Sequence, residues 1–127
     1  MSRLLLDAQT LVWWDAGSRA LGRNARRIIE RADYVGVSAA SEWELAIKAG
    51  LGKVVLKRSI LEAVRDSGFE PLAISFEHAR AVRDLPPVHR DPFDRLLVAV
   101  ALVEGLTLVS SDRLLANYPV NVVDSTT

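Results

Sequence analysis

The sequence contains no cysteine. Disulfides and thiolate metal sites are excluded, and the absence is compatible with the cytosol. There is no excess charge of either sign: 16 Lys and Arg balance 16 Asp and Glu. No long-range field advertises a nucleic-acid binder, so any contact with RNA or DNA has to come from a local patch. The longest apolar run, Leu96–Val103, falls far short of the roughly 20 residues that a membrane helix needs. The N-terminal Leu4-Leu5-Leu6 is cut off by Asp7, too early for a signal peptide. A glycine-rich phosphate loop is missing, which excludes a P-loop enzyme. Gln9 stands two residues after Asp7, where a phosphoaspartate hydrolase needs a second acid. A response-regulator receiver is excluded too, since it needs an acidic pair near Asp7 and a lysine after the last strand. Aromatic residues are scarce at 6%, while half the chain is apolar, as in ordinary globular folds. These absences leave one domain spanning residues 1–127, with no membrane span and a cytoplasmic location expected.

The residues present alternate between strand and helix signals. Leu4-Leu5-Leu6 predicts a strand buried on both faces, hence parallel. Gln9–Trp14 predicts a helix ended near Gly17, and Leu21–Ala32 a second, with Ile28 and Ile29 inward and Arg23, Arg26, Arg27 and Arg31 outward. Tyr34–Ser38 is a strand, and Ala39–Ala49 a helix with Gly50 as its C′ residue. That helix starts either at a Ser38 cap or at the capping box Ser41-Glu42-Trp43-Glu44. Ser59–Ser67 is a helix, Leu72–Ile74 a strand, and Ser75 caps a helix running to Leu85 before Pro86-Pro87 breaks the chain. Asp91 then caps an almost wholly apolar helix, with Pro92 at its first position and Gly105 at its end. Leu106–Ser110 is a strand, Asp112–Ala116 a helical turn and Val120–Val123 the last strand. The pattern predicts a three-layer α/β/α sandwich around a mainly parallel sheet.

Open α/β sheets bind ligands at the carboxyl ends of their strands. Four acids fall there. Asp7 follows the first strand, Glu44 lies in the helix after the second, Asp94 in the first turn of the buried helix, and Asp112 two residues past the fourth strand. Two carboxylates about 5 Å apart repel by roughly 3 kcal/mol at an effective dielectric near 20. Such crowding calls for a cation. Oxygen donors without cysteine, and with no histidine evidently placed, favour Mg²⁺ or Mn²⁺ over Zn²⁺. Such an ion activates water and neutralises a phosphate. Each acid also has a structural reading: Asp94 as the N3 partner of the Asp91 cap, Glu44 as a surface acid, Asp112 as a cap. His78 reads as a helix-surface residue and His89 as a loop residue.

These segments resemble PIN-domain ribonucleases, especially the toxin subunits of VapBC-type toxin–antitoxin pairs. The resemblance runs through Leu4-Leu5-Leu6-Asp7 with Leu11-Val12-Trp13-Trp14, and through Val37–Ser41 into Trp43–Lys48. It continues in His89-Arg90-Asp91-Pro92-Phe93-Asp94-Arg95-Leu96-Leu97 and Leu108-Val109-Ser110-Ser111-Asp112. It covers nearly the whole chain. It departs at Ala8 and Gln9, where members often carry Thr or Ser and then His, and at Glu42, where a neutral residue is expected.

The resemblance implies a PIN-like fold and a Mg²⁺- or Mn²⁺-dependent endoribonuclease. Asp7, Glu44, Asp94 and Asp112 would hold the metal, and Ser110 would supply a helping hydroxyl. It also implies a homodimer and a cognate antitoxin, seated against Leu11, Trp13 and Trp14. Arg23, Arg26, Arg27, Lys48, Lys53, Arg90, Arg95 and Arg113 are candidates for RNA phosphate contact. A PIN fold kept only as an RNA- or protein-binding module is the alternative.

Overall fold

The computed structural model describes residues 2–127. In chain order the elements are β1 (Arg3–Leu6), α1 (Ala8–Ala16), α2 (Arg23–Arg31), β2 (Tyr34–Ser38), α3 (Ala39–Gly50), α4 (Ile60–Asp66), β3 (Glu70–Leu72), α5 (Phe76–Ala81), α6 (Pro92–Glu104), β4 (Thr107–Ser110) and β5 (Val122–Asp124). Short 3-10 turns follow α5 (Val82–Asp84) and β4 (Arg113–Asn117). All strand pairs are parallel, in the order β3-β2-β1-β4-β5. The winding runs outward from β1 through β2 to β3, then returns to the other side of β1. The switch point therefore lies between β1 and β4, and a crevice opens outside their carboxyl ends.

Period-2 alternation divides the core between the two faces. Leu4 and Leu6 pack with Leu11 of α1, Ala25 and Ile29 of α2, and Ile60 and Val64 of α4. Leu5 and Leu108 point the other way, onto Leu97–Ala101 of α6. Residues 97–101 are all buried, so α6 is the central helix of its layer. Its start is fixed by the Asp91 carboxylate, whose Oδ1 accepts the N–H groups of Phe93 (2.8 Å) and Asp94 (3.2 Å). Pro92 at the first helical position loses nothing by lacking an N–H. The helix stops at Gly105 in the left-handed conformation, φ 67°.

Of the two caps open for α3, Ser38 is the one used, accepting the Ala40 N–H, and Ser41 is buried. Several other expectations are corrected. Gly50 ends the helix itself, and the left-handed residue is Gly52. The third strand is Glu70–Leu72 rather than Leu72–Ile74, because its register pairs Gly36 with Glu70 and Ser38 with Leu72. Pro71 is tolerated there because β3 is an edge strand. The last strand is Val122–Asp124, shifted by its pairing with Leu108–Ser110. The helix after Ser75 tightens into a 3-10 turn at Val82. His78 is buried rather than on a surface. Its Nδ1 accepts the Ser75 N–H and its Nε2 meets Glu104 Oε1 at 2.8 Å, tying α5 to α6. Among the described residues, no helix is long and apolar enough to cross a membrane.

Arg95 also has a structural task. Its guanidinium donates to the carbonyls of Pro86, Val82 and Leu85 and to the Tyr118 hydroxyl. That fan of donors fastens the segment before α6 to the helix and removes Arg95 from the phosphate candidates. A lysine keeps the charge but lacks the planar fork. Arg95→Lys is expected to lower stability by about 1–3 kcal/mol through carbonyls left unpaired. Urea denaturation checks this; an unchanged midpoint would show that the fan carries no stability.

Candidate active site

The four acids and one histidine occupy the carboxyl rim around the β1/β4 switch point. Asp7 leaves β1 as the N-cap of α1, its Oδ1 accepting the Thr10 N–H at 2.8 Å. The Ser110 hydroxyl, buried at the end of β4, lies near enough to the Asp7 carboxyl to lower it and accepts the Asp112 N–H at 3.0 Å. One hydroxyl thus lies between the Asp7 carboxyl and the Asp112 backbone. Thr10 is also buried, its hydroxyl on the Val109 carbonyl. It supplies a hydroxyl near Asp7, although Ala8 and Gln9 do not.

Asp112 caps the 3-10 turn after β4, with Oδ1 accepting the Leu114 N–H at 3.0 Å. Asp94 lies in the first turn of α6. The side chain that joins these two acids is His89. Its Nε2 lies 2.8 Å from Asp112 Oδ2 and 3.2 Å from Asp94 Oδ2. One donor atom from each of His89, Asp94 and Asp112 falls within 4.8 Å of the others. Asp7 and Glu44 stand outside this tightest group. Glu44, in the second turn of α3, is instead paired with Lys48 one turn on, 2.7 Å away.

His89 is a loop residue, as expected, and its contacts reach well beyond the loop. Its backbone N–H donates to the Tyr118 hydroxyl at 2.9 Å, and its Nδ1 accepts the Asp91 N–H at 3.0 Å. The signal was present in the chain: His89 stands two residues before the cap of α6, within reach of whatever the helix start faces. Tyr118 gave none, because its partners come from 23 and 29 residues away.

Electrostatics binds the acids into one system. Burial pushes the Asp94 carboxyl up to about 7, and the neighbouring Asp91, Asp112 and Glu44 carboxylates add to the rise while His89 opposes it. Asp7 is also raised, first by burial, against hydrogen bonds from Ser110 and Thr10, with Glu44 adding repulsion. Crowded, partly desolvated carboxylates of this kind suit a hard divalent ion with oxygen ligands. Raised carboxyls in a cleft also mark chemistry.

A model of the PIN-domain family matches residues 4–121. The chain belongs to the PIN-domain family. It is 34% identical to Ribonuclease VapC22 of Mycobacterium tuberculosis, over 93% of this chain and 93% of that protein. The PIN fold is the three-layer α/β/α architecture described above. VapBC2 from Rickettsia felis, solved bound to a DNA fragment from its promoter, superposes with a TM-score of 0.70. The identity is 16%, covering 94% of this chain and 96% of that one. DNA-bound VapBC from Salmonella typhimurium gives 0.68 at 20% identity, over 98% of both chains.

The remaining candidates divide by burial. Leu11 is wholly buried and cannot meet a partner. Trp14 packs on Phe69, donates to Ser67 Oγ and lies under the Arg26 guanidinium. Trp43 is 58% exposed, its ring edge against Phe93 at the start of α6. Arg23, Arg27, Lys53, Arg90 and Arg113 are exposed.

The raised Asp94 carboxyl has a consequence for stability. A carboxyl whose folded value lies above its ordinary 3.8 favours folding at low pH, and that advantage is lost as pH rises through about 7. Without metal, the protein is therefore expected to lose stability between pH 4 and 8, in the direction Asp7 reinforces. Asp94→Asn should flatten the decline. Thermal unfolding against pH in EDTA checks this, and equal slopes in both proteins would refute it.

Proposed function

We propose that residues 1–127 act as one PIN domain, a metal-dependent endoribonuclease toxin held in check by a cognate antitoxin. The observation that carries the reading is the convergence of Asp94 and Asp112 around one point, with Asp7 and Glu44 electrostatically coupled to it, at the β1/β4 switch point. The resemblance to a named ribonuclease over 93% of the chain supports the activity. The fold shared with VapBC complexes supports the antitoxin. A homodimer is part of the same reading, and a toxin that cuts RNA acts in the cytoplasm.

Asp7, Glu44, Asp94 and Asp112 are the acids that would hold Mg²⁺ or Mn²⁺; their oxygen donors, and the raised carboxyls of Asp7 and Asp94, fit such an ion. When bound, the ion supplies an activated water and neutralises the phosphodiester. The protein groups do the rest. Ser110 orients Asp7 and the Asp112 backbone together. The positive end of α6 favours the ionised form of Asp94. Burial works the other way and raises this carboxyl, and one of the four acids would take the proton of the attacking water. Arg23, Arg27, Lys53, Arg90 and Arg113 are the exposed cations left to meet RNA phosphates. Since the chain has no net charge, binding is expected to be modest and to follow RNA shape.

The test is cleavage of structured RNA by purified protein with Mg²⁺, with Mn²⁺ and with EDTA, beside Asp7→Asn and Asp94→Asn. Cleavage is expected only with metal, falling on the order of 100-fold or more in either variant. Equal cleavage in the variants would sink the mechanism. Binding without cleavage across a broad RNA panel would favour a module that has kept the fold and lost the chemistry.

A further inference from the structure

His89 offers a ring nitrogen to Asp94 and Asp112, and at first sight it completes a three-ligand metal site. Its hydrogen bonds argue otherwise. Nδ1 accepts the Asp91 N–H at 3.0 Å. A nitrogen that accepts an N–H carries no proton, so in the neutral ring the proton sits on Nε2. Nε2 is the atom facing the acids. It donates to Asp112 Oδ2 and has no lone pair to give a metal. Ligation through Nε2 would move the proton to Nδ1, where it would confront the Asp91 N–H. In this position His89 cannot be a ligand.

We propose that His89 is a positioning residue that stands in for the cation, and that a divalent ion displaces it from the two carboxylates. The proposal rests on the reading that this acid cluster holds such an ion. Asp112 shows where the competition falls. Oδ1 holds the Leu114 N–H, and Oδ2, the oxygen that shares His89 with Asp94, holds the imidazole. The Leu114 bond belongs to the backbone of a 3-10 turn and has nowhere to move. The imidazole is a side chain on the segment before α6 and can rotate away. Among the described residues, the Asp94 carboxylate meets only the same ring, 3.2 Å from Oδ2. The N–H hydrogen and the ion therefore compete for the same oxygens. Until the ion arrives, His89 relieves the repulsion between the two acids it bridges. It sets metal affinity rather than touching the reacting atoms.

His78, the chain's other histidine, is a built-in control. It has the same local pattern, with Nδ1 accepting the Ser75 N–H and Nε2 2.8 Å from Glu104. But it is buried and meets a single carboxylate away from the rim.

Two measurements test the proposal. In calorimetric titrations with MnCl₂, His89→Ala is expected to bind about tenfold more tightly than the wild type, ~1.4 kcal/mol. Weaker or equal binding would overturn the proposal while leaving the metal reading intact. If neither protein binds Mn²⁺, the metal reading itself falls and takes the proposal with it. Nitrogen NMR of the wild type needs no variant, so it decides even if His89→Ala does not fold. Both histidines are expected in the Nε2–H form without metal. Mg²⁺ should then shift the His89 ring signals, with Nε2 keeping its proton, and leave His78 unmoved. An Nδ1–H form of His89 without metal would overturn the proposal. So would loss of the Nε2 proton on adding Mg²⁺, or His89 signals that stay still at a Mg²⁺ level that saturates the site.

Discussion

The start of α6 is the constraint on which the rest depends. The Asp91 carboxylate takes two N–H groups of the helix, while the Asp91 N–H holds the His89 ring. That ring in turn spans Asp94 and Asp112. Helix α6 itself cannot shift, since residues 97–101 are buried against the sheet. A close-packed core does not slide to suit its surface. The rigid helix thus carries its first turn to the β1/β4 crevice and leaves the acids there no choice of place. Arg95, one residue past Asp94, anchors the approaching segment by four hydrogen bonds. Tyr118 receives both that guanidinium and the His89 backbone N–H.

The rim is a study in acids kept near one another by separate local partners. Asp7 has Thr10 and Ser110, Glu44 has Lys48, and Asp94 and Asp112 share His89. None of these partners is strong enough to abolish the strain, for burial still holds Asp7 and Asp94 above the usual carboxylate range. RNA phosphates would add further negative charge to this rim. A divalent ion resolves both repulsions at once, which is the physical sense of a metal-dependent reading for a chain with no net charge.

Much of this was legible in the residues. The cap at Asp91, the proline after it, the buried helix and its glycine stop all followed from local chemistry, and all are found. So did the placing of Asp7, Asp94 and Asp112 at strand and helix ends, since those positions depend on near neighbours in the chain. Errors came where a distant partner decides. The Glu70–Leu72 strand takes its register from β2. The 3-10 turn after α5 lends its Val82 carbonyl to Arg95.

The amino-acid sequence by itself determined the alternation of strands and helices, the caps, and which acids reach the carboxyl rim. Hydrophobic period and capping are short-range properties, written within a few residues. Only the tertiary structure decided how those acids are shared. It placed His89 rather than a third carboxylate beside Asp94 and Asp112, drew Arg95 inward and buried His78. His89 reaches Asp112 and Arg95 reaches Tyr118 across 23 residues, and His78 reaches Glu104 across 26, meetings that no local pattern encodes.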